Sequence, residues 1–367
     1  ASLLCSLATT LPELAAARAL QGIGAGALMS VNIALIRQLY PAERLGRGVG
    51  LNALVVGLGF TLGPAVASLV LSVGTWPWLF AINVPLGVLG FFLASRMLPA
   101  TRLSGHTLDA RTALYNVGAF GLLILLFGDA AHHAASSTLL PELVAVAVFF
   151  VLLLRRQAGH VAPMLPIDLF RRPLFLLSSL TAVCTFAAQG LAFVSLPFYF
   201  EVTLGRSPVE TGFLMTPWAV LVAVMAPVAG RLSDRYAPGV LGGIGLAALA
   251  GGLLTLVWIP AHPSAVDIGW RMALCGIGFG FFQAPNLKAI MGSAPPERAG
   301  GASGVVATSR LIGQATGAAL VAYCFTVSAS QGTTYALCLA AGFAAVASID
   351  SFSRLVVAQP AWLGKGG

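Results

Sequence analysis

The sequence predicts an all-α, polytopic membrane protein built from two related halves, and three observations carry that expectation. The first is composition: of 367 residues, 58% are hydrophobic and only 9% charged, against roughly 25% charged residues in a soluble domain. The second is that apolar residues come in long runs without two-residue alternation. Backbone polar groups deprived of water must bond internally, and such runs do so as helices rather than as a barrel. The third is an internal repeat. Residues 22–65 and 276–319 align without a gap at a constant offset of 254, with 15 of 44 positions identical. Gly22 falls on Gly276, Asn32 on Asn286, Glu43 and Arg44 on Glu297 and Arg298, and Gly63 on Gly317. Each copy reads as an apolar Gly-rich segment, a Pro-x-Glu-Arg loop and a second apolar segment. Self-similarity of this kind in an apolar chain marks a transporter made of two halves.

Twelve apolar segments are expected, near 1–11, 12–36, 48–72, 78–95, 112–128, 139–154, 174–200, 209–229, 240–260, 267–290, 302–325 and 334–352. Most approach the roughly 20 residues that cross a bilayer, and those at 78–95, 112–128 and 139–154 lie near the lower limit. The repeat also counts helices. Its two copies are separated by eight helix steps, where a six-plus-six architecture would give six, so two helices are inserted between the halves. The segments at 112–128 and 139–154 are the natural candidates, which makes fourteen in the intact protein. Starting the second half at Pro173 puts 103 residues before its GIG at 276, whereas 21 precede the GIG at 22. The sequence opens partway through an apolar run without an initiator Met, so it reads as a fragment with a partial first helix and about 12 of 14 helices. The expected organisation is 1–95 for the remainder of the N-terminal bundle, 96–172 for two inserted helices with cytoplasmic linkers, 173–358 for a C-terminal six-helix bundle and 359–367 for a cytoplasmic tail.

The net charge of +8 does not point to nucleic acid, because 15 of the 20 basic residues fall in one alternate set of loops, among them Arg44, Arg47, Arg171, Arg172, Arg235 and Arg298. The opposite set and its borders hold Arg206 and Arg271. This asymmetry places the Pro-x-Glu-Arg loops in the cytoplasm. The five cysteines lie in apolar segments without paired spacing and read as small core residues. His132 and His133 lack a third ligand nearby, so no metal is expected. No phosphate-binding loop of the G-x-x-x-x-G-K-S/T type occurs. That argues against an ATP-driven pump or another enzyme, leaves ion coupling as the energy source, and implies no cofactor.

Four motifs carry a family resemblance. RALQGIG at 18–24 is similar to R-x-x-Q-G-x-G, and GFTLGP at 59–64 to G-x-x-x-G-P-x-x-G-G. WPWLFAINVP at 76–85 is similar to W-R-W-x-F-x-I-N-x-P, and GRLSDR at 230–235 to the G-x-L-x-D-R loop. Together they resemble the major facilitator superfamily, in its 14-helix branch of drug–proton antiporters. Ala67 and Ser68 depart from the second motif and Pro77 from the third. The resemblance implies a major facilitator fold in the bacterial inner or plasma membrane. It implies proton-coupled export of amphipathic, often cationic, organic compounds by alternating access. A small-molecule substrate, protons and the bilayer are the implied partners, and some relatives add a periplasmic adaptor and an outer-membrane channel. An exporter of one metabolite, such as an antibiotic or siderophore, and a truncated remnant remain alternatives.

Candidate residues follow. Arg18, Gln21 and Asn32 fall on one stripe of a helix at 100° per residue. A charge in the membrane is costly and marks function by default. By resemblance Arg18 is a proton-relay or carboxylate-poising residue; the alternative is that it snorkels outward. Asp129 and Glu201 close the outer ends of their helices and join Arg18 as relay candidates. Met29, Gln189, Phe279, Phe282, Gln283 and Asn286, with Gln21 and Asn32, are candidates for a substrate cavity, the amides for hydrogen bonding and the rest for apolar contact. The amides serve equally well as interhelical glue. By resemblance Gly59, Gly63 and Pro64 form an interface sealing an inward leak. Gly230, Asp234 and Arg235 form a cytoplasmic latch in which Arg235 pairs across the loop. Gly22, Gly24 and Gly26, with Gly276, Gly278 and Gly280, allow close helix approach. Lys288 is expected to snorkel inward, Asp350 sits near the inner end of the last helix, and Arg310 receives no role.

Parallel copies place the Pro41 and Pro295 turns on one face of the bilayer. In a cysteine-free background, Pro41→Cys and Pro295→Cys should be labelled by an impermeant maleimide from the cytoplasmic side only. Labelling from opposite faces would refute the parallel repeat.

Overall fold

A computed structural model describes residues 1–41, 44–98, 109–131, 136–157, 166–260, 262–295 and 298–356. Among these, all regular structure is helical. The first half contains α1 (Ser2–Leu7), α2 (Leu11–Leu39), α3 (Leu45–Val73), α4 (Trp78–Ala81) and α5 (Asn83–Met97). A pair follows, α6 (Ala110–Ala131) and α7 (Ser136–Gln157), then the short α8 (Ile167–Phe170). The second half contains α9 (Pro173–Phe198), α10 (Pro208–Leu232), α11 (Pro238–Val257), α12 (Ala265–Ser293), α13 (Ala299–Val327) and α14 (Gly332–Ser353). Ten helices of the described residues are long and apolar enough to cross a membrane, α4 and α5 counting as one. His132, His133, Glu43, Glu297 and the tail expected at 359–367 lie outside the described residues.

Helix starts follow local chemistry. The segment expected at 1–11 ends early because Thr10 accepts from the Glu13 backbone N–H while the Glu13 carboxylate accepts from the Thr10 backbone, a reciprocal cap that opens α2. Ser207 and Glu210 cap α10 in the same way. Pro12, Pro173, Pro208 and Pro238 stand in first turns, where a missing N–H costs nothing. Near the end of α9, Pro197 precedes a single π turn, Tyr199–Thr203, which carries Glu201.

In the second half, α12 packs along α10 and α11, α9 along α13 and α14, and α11 along α14. Leu246, Leu249, Leu253, Phe282, Ala340 and Ala344 are among the buried residues at its centre. Lipid is as apolar as leucine, so association depends on close packing more than on expulsion from water. Gly276 and Gly278 provide it. A Cβ at Gly276 would lie 2.4 Å from the Trp218 carbonyl oxygen, and one at Gly278 2.4 Å from the Leu249 nitrogen. Their repeat mates Gly22 and Gly24 have open space beside them among the described residues.

The pair α6–α7 is clipped at one end. Asp109 accepts from the backbone N–H groups of Arg111 and Thr112 and from the Thr112 hydroxyl, and pairs with Arg156 at 2.8 Å. Hydrogen bonds from the Arg156 guanidinium hold the Asp109 carboxyl well below the usual carboxylate range. On its other side α6 leans on α13. The halves meet where α3 runs along α10 and α12, and where α2 touches α13.

The close approach at Gly278 makes a sharp test. Gly278→Val forces side-chain carbons into the backbone of α11 at Gly245 and Leu249 and should cost about 1–3 kcal/mol. Thermal unfolding of the purified protein should drop by several degrees, whereas Gly22→Val should leave it within error.

Candidate functional site

A cavity of about 110 Å3, open at its mouth, lies between the halves. From the first half, α2 contributes Met29 and Asn32, and α3 contributes Asn52 and Val56. From the second half, α9 contributes Ala182 and Phe186, α12 contributes Phe282, Gln283, Asn286, Leu287 and Ile290, and α13 contributes Ser303, Val306, Ala307 and Arg310. Four lining pairs are repeat mates at the offset of 254: Met29 with Gln283, Asn32 with Asn286, Asn52 with Val306, and Val56 with Arg310. The cavity therefore sits where the repeat folds onto itself.

Its polar groups differ in freedom. Asn32 donates to Asn52 at 2.9 Å, which ties α2 to α3. Asn286 is buried; it donates to the Ser178 carbonyl at 3.1 Å and accepts from Arg354 at 2.8 Å. Arg354, also buried, donates further to the hydroxyls of Ser178 and Thr181, and Thr181 donates to Asp350. Gln283 makes no side-chain hydrogen bond among the described residues. The Arg310 guanidinium stands over the Phe186 ring, 5.9 Å from its centre, just inside the roughly 6 Å limit of a cation–π contact.

Below the cavity, at the end bearing the Pro-x-Glu-Arg loops, one apolar cluster spans both halves. Leu45 and Val49 of α3 join Leu287, Ile290 and Met291 of α12 and Ala302 and Val305 of α13. Arg37 reaches from α2 to the Ala294 carbonyl at 2.8 Å, where a cation suits the C-terminal end of α12. Nearby, a Cβ at Gly50 would lie 3.0 Å from the Pro227 Cα and 3.4 Å from the Gly230 Cα, so α3 and α10 touch backbone to backbone.

The other candidates fall elsewhere. Arg18 is exposed on α2, donating to Gln21 at 2.6 Å and lying 5.8 Å from the Phe80 ring centre. Gln21 donates to Ser2 at 2.8 Å and so binds α1, away from the cavity wall. Phe279 is buried among Phe186, Phe282 and Trp218 in the second-half core, behind the wall. Gln189 accepts from Gln314 at 3.2 Å and lines a separate pocket with Phe193, Leu311 and Ile124. Asp129 faces Glu142 of α7. Glu201 is exposed. Gly59 and Gly63 have open space beside them among the described residues, and the side chain of Pro64 lies outside the description. Asp234 pairs with Lys288 of α12 at 2.6 Å, and Lys288 also donates to the Ser233 carbonyl, while Arg235 is exposed. The cation at this turn thus comes from the helix expected to send Lys288 into the headgroups.

Sequence reasoning did not find Asn52, Arg310, Arg354 or Glu142. Asn52 and Arg310 lie within the repeat, but their mates are Val306 and Val56, apolar residues that carry no signal of a cavity wall.

Helix bundles related by an internal repeat and meeting over an amide-lined cavity define a multi-pass membrane transporter. The family model described as Major Facilitator Superfamily matches residues 1–318, and the chain belongs to that family, whose members reside in the cell membrane. It is 48% identical over 356 residues to the uncharacterized transporter YebQ of Escherichia coli K12, covering 96% of this chain and 78% of that one. It is 26% identical over 337 residues to the riboflavin transporter RibZ of Clostridioides difficile, covering 91% and 72%. It is 30% identical over 328 residues to the multidrug resistance protein Stp of Mycobacterium tuberculosis, covering 87% and 60%. The fold resembles the proton:xylose symporter XylE, with a TM-score of 0.64, 16% identity and coverage of 97% of this chain and 77% of that one.

The Asp234–Lys288 pair is half-buried and should act as a unit. Asp234→Asn and Lys288→Met should each lower the thermal midpoint. The double variant should fall short of the sum by a coupling of about 0.5–3 kcal/mol, read from a double-mutant cycle of unfolding.

Proposed function

We propose that the chain is a secondary active exporter of small organic molecules, coupled to protons and working by alternating access. On this reading it belongs to the 14-helix drug–proton antiporter branch, with α6 and α7 as the pair inserted between six-helix halves. The observation that carries the reading is the cavity itself. It is lined by repeat mates from both halves and shut by an apolar cluster at the arginine-rich end, and a site of that kind changes sides when the halves rock. The name of Stp supports drug export.

Proton coupling is assigned to carboxyls and cations outside the cavity. Asp129, which faces Glu142 across α6 and α7, serves as a relay carboxylate near the outer end of α6. Arg18 poises a carboxylate near the outer end of α2, and Glu201 serves at the outer end of α9. A periplasmic adaptor and an outer-membrane channel would extend export beyond the inner membrane. Export of a single metabolite is the second reading. It is favoured by the fixed orientation of Asn32 and Asn286, since held amides suit one ligand better than many, and by the name of RibZ.

Energised inverted vesicles carrying the full-length protein should accumulate a fluorescent drug, and a protonophore should abolish the uptake. Arg18→Ala and Asp129→Asn should each slow it about tenfold, equivalent to roughly 1.4 kcal/mol of barrier. Uptake that persists after the gradient collapses would exclude proton coupling.

A further inference from the structure

A proton that drives export must leave at the inner face, and the relay carboxyls assigned above lie near outer helix ends. At the inner face Asp109, Asp168 and Asp234 are each ion-paired directly. Asp350, near the inner end of α14, instead reaches its cation through a hydroxyl. It is partly exposed and accepts from Thr181 of α9. Arg354, buried, donates to that same hydroxyl at 2.9 Å and to the Asn286 side-chain carbonyl at 2.8 Å. Asn286 lines the cavity. Four side chains therefore join an acid within reach of solvent to the cavity wall.

This line has two settings. Thr181 lies within bonding distance of Asp350 and of the Leu177 carbonyl, the latter at 2.9 Å, and a hydroxyl has one proton to give. With Asp350 ionised, the hydroxyl turns to the carboxylate, whose charge offsets the enclosed guanidinium. With Asp350 protonated, the hydroxyl turns back to Leu177 and Arg354 becomes a buried cation that has lost its counter-charge, which is costly. The neighbouring elements supply no replacement acid among the described residues. On α9 the nearby titratable group is Cys184, and α11 contains none. On α13 Arg310 stands over Phe186, and Tyr323 and Cys324 lie toward the outer end, as Tyr335 and Cys338 do on α14. Lys288 of α12 is paired with Asp234. Ser348 and Ser351 donate to the Gly243 and Gly239 carbonyls and anchor the foot of α14 to α11, so the response falls on the Arg354 side chain.

We propose that Asp350 is the inner proton site of the exporter and a positioning residue for its cavity. Ionised, it keeps Arg354 on Asn286 and the wall set for substrate. Protonated, it lets Arg354 loosen, the Asn286 carbonyl loses its anchor, and substrate binding weakens. Asn286 keeps its bond to the Ser178 carbonyl, so α12 stays on α9. Proton and substrate then oppose one another, as exchange in opposite directions requires, and each must weaken the other by the same factor. The proposal rests on the export reading for its use in transport, but what it asserts is the link between Asp350 and the cavity.

Ethidium binding to the purified full-length protein, read by its fluorescence without a gradient, measures that link. Between mildly alkaline and mildly acidic pH the affinity should fall at least about fivefold, the lower end of typical coupling between sites. Asp350→Asn should bind weakly at both pH values, and Asp350→Glu should restore the dependence. Thr181→Val, which cuts the line but leaves the acid, should flatten it too, and serves if Asp350→Asn fails to fold. A ligand-free reading uses Gln283→Cys, a thiol on the cavity wall, in a background without native cysteines. At a single pH its alkylation by a maleimide should be severalfold faster with Asp350→Asn than without, and this comparison decides if ethidium does not bind. A pH dependence that survives both Asp350→Asn and Thr181→Val, no dependence in the wild type, or equal alkylation rates overturns the proposal. Gradient-driven uptake that persists alongside any of those results would keep the export reading. Intact coupling at Asp350 without gradient-driven uptake would do the reverse.

Discussion

Helix backbones in this protein must come close without help from water. Inside a bilayer the apolar faces gain little by meeting one another, so what holds the second half together is contact at short range, made where side chains are missing. Gly276 and Gly278 let α12 touch α10 and α11, and Gly317, the mate of Gly63, lets α13 touch α9. The place that α9 takes against α13 corresponds, in the first half, to the open face of α3 beside Gly59 and Gly63. The small residues of the antiporter-like motif are thus explained by packing in one copy, and the other copy keeps the same surface.

The repeat then does more than duplicate a bundle. Because the two copies run parallel and meet face to face, equivalent positions converge on one space, and the cavity inherits pairs of related side chains. Where the pairs agree, as at Asn32 and Asn286, the amides are spent on their own halves: one braces α3, the other is braced by Arg354. Where they differ, as at Val56 and Arg310, the chamber acquires direction. Divergence between copies is therefore the place to look for ligand choice, and identity between them the place to look for architecture.

Much of the fold was legible in the sequence. Hydropathy runs depend on local composition alone, and the repeat fixes the parallel sense of its copies without any coordinates. The helix Leu11–Leu39 and those from 173 to 353 lie close to where the apolar runs put them. The site was legible only in part. Asn32, Gln283 and Asn286 were read as a cavity because polar groups in apolar helices are conspicuous, Met29 was read as an apolar contact beside them, and all four line it. Gln189, Phe279 and Gln21 carry the same signal but turn to neighbours within their own halves, since helical angle says which residues share a face and not what that face meets. The Lys288–Asp234 pair escaped for a related reason: 54 residues separate them, and nothing local distinguishes a lysine reaching for headgroups from one reaching for an acid.

Arg354 sets the mechanical grain of the second half. A guanidinium enclosed at the foot of α14 grips α9 through Ser178 and Thr181 and α12 through Asn286, so these three helices can turn only as one block. Deformation during a cycle is then confined to seams that lack such a rivet. The seam between α3 and α10, close-packed at Gly50 and Gly230, has no cross-bolt of this kind among the described residues, which suits it to sliding.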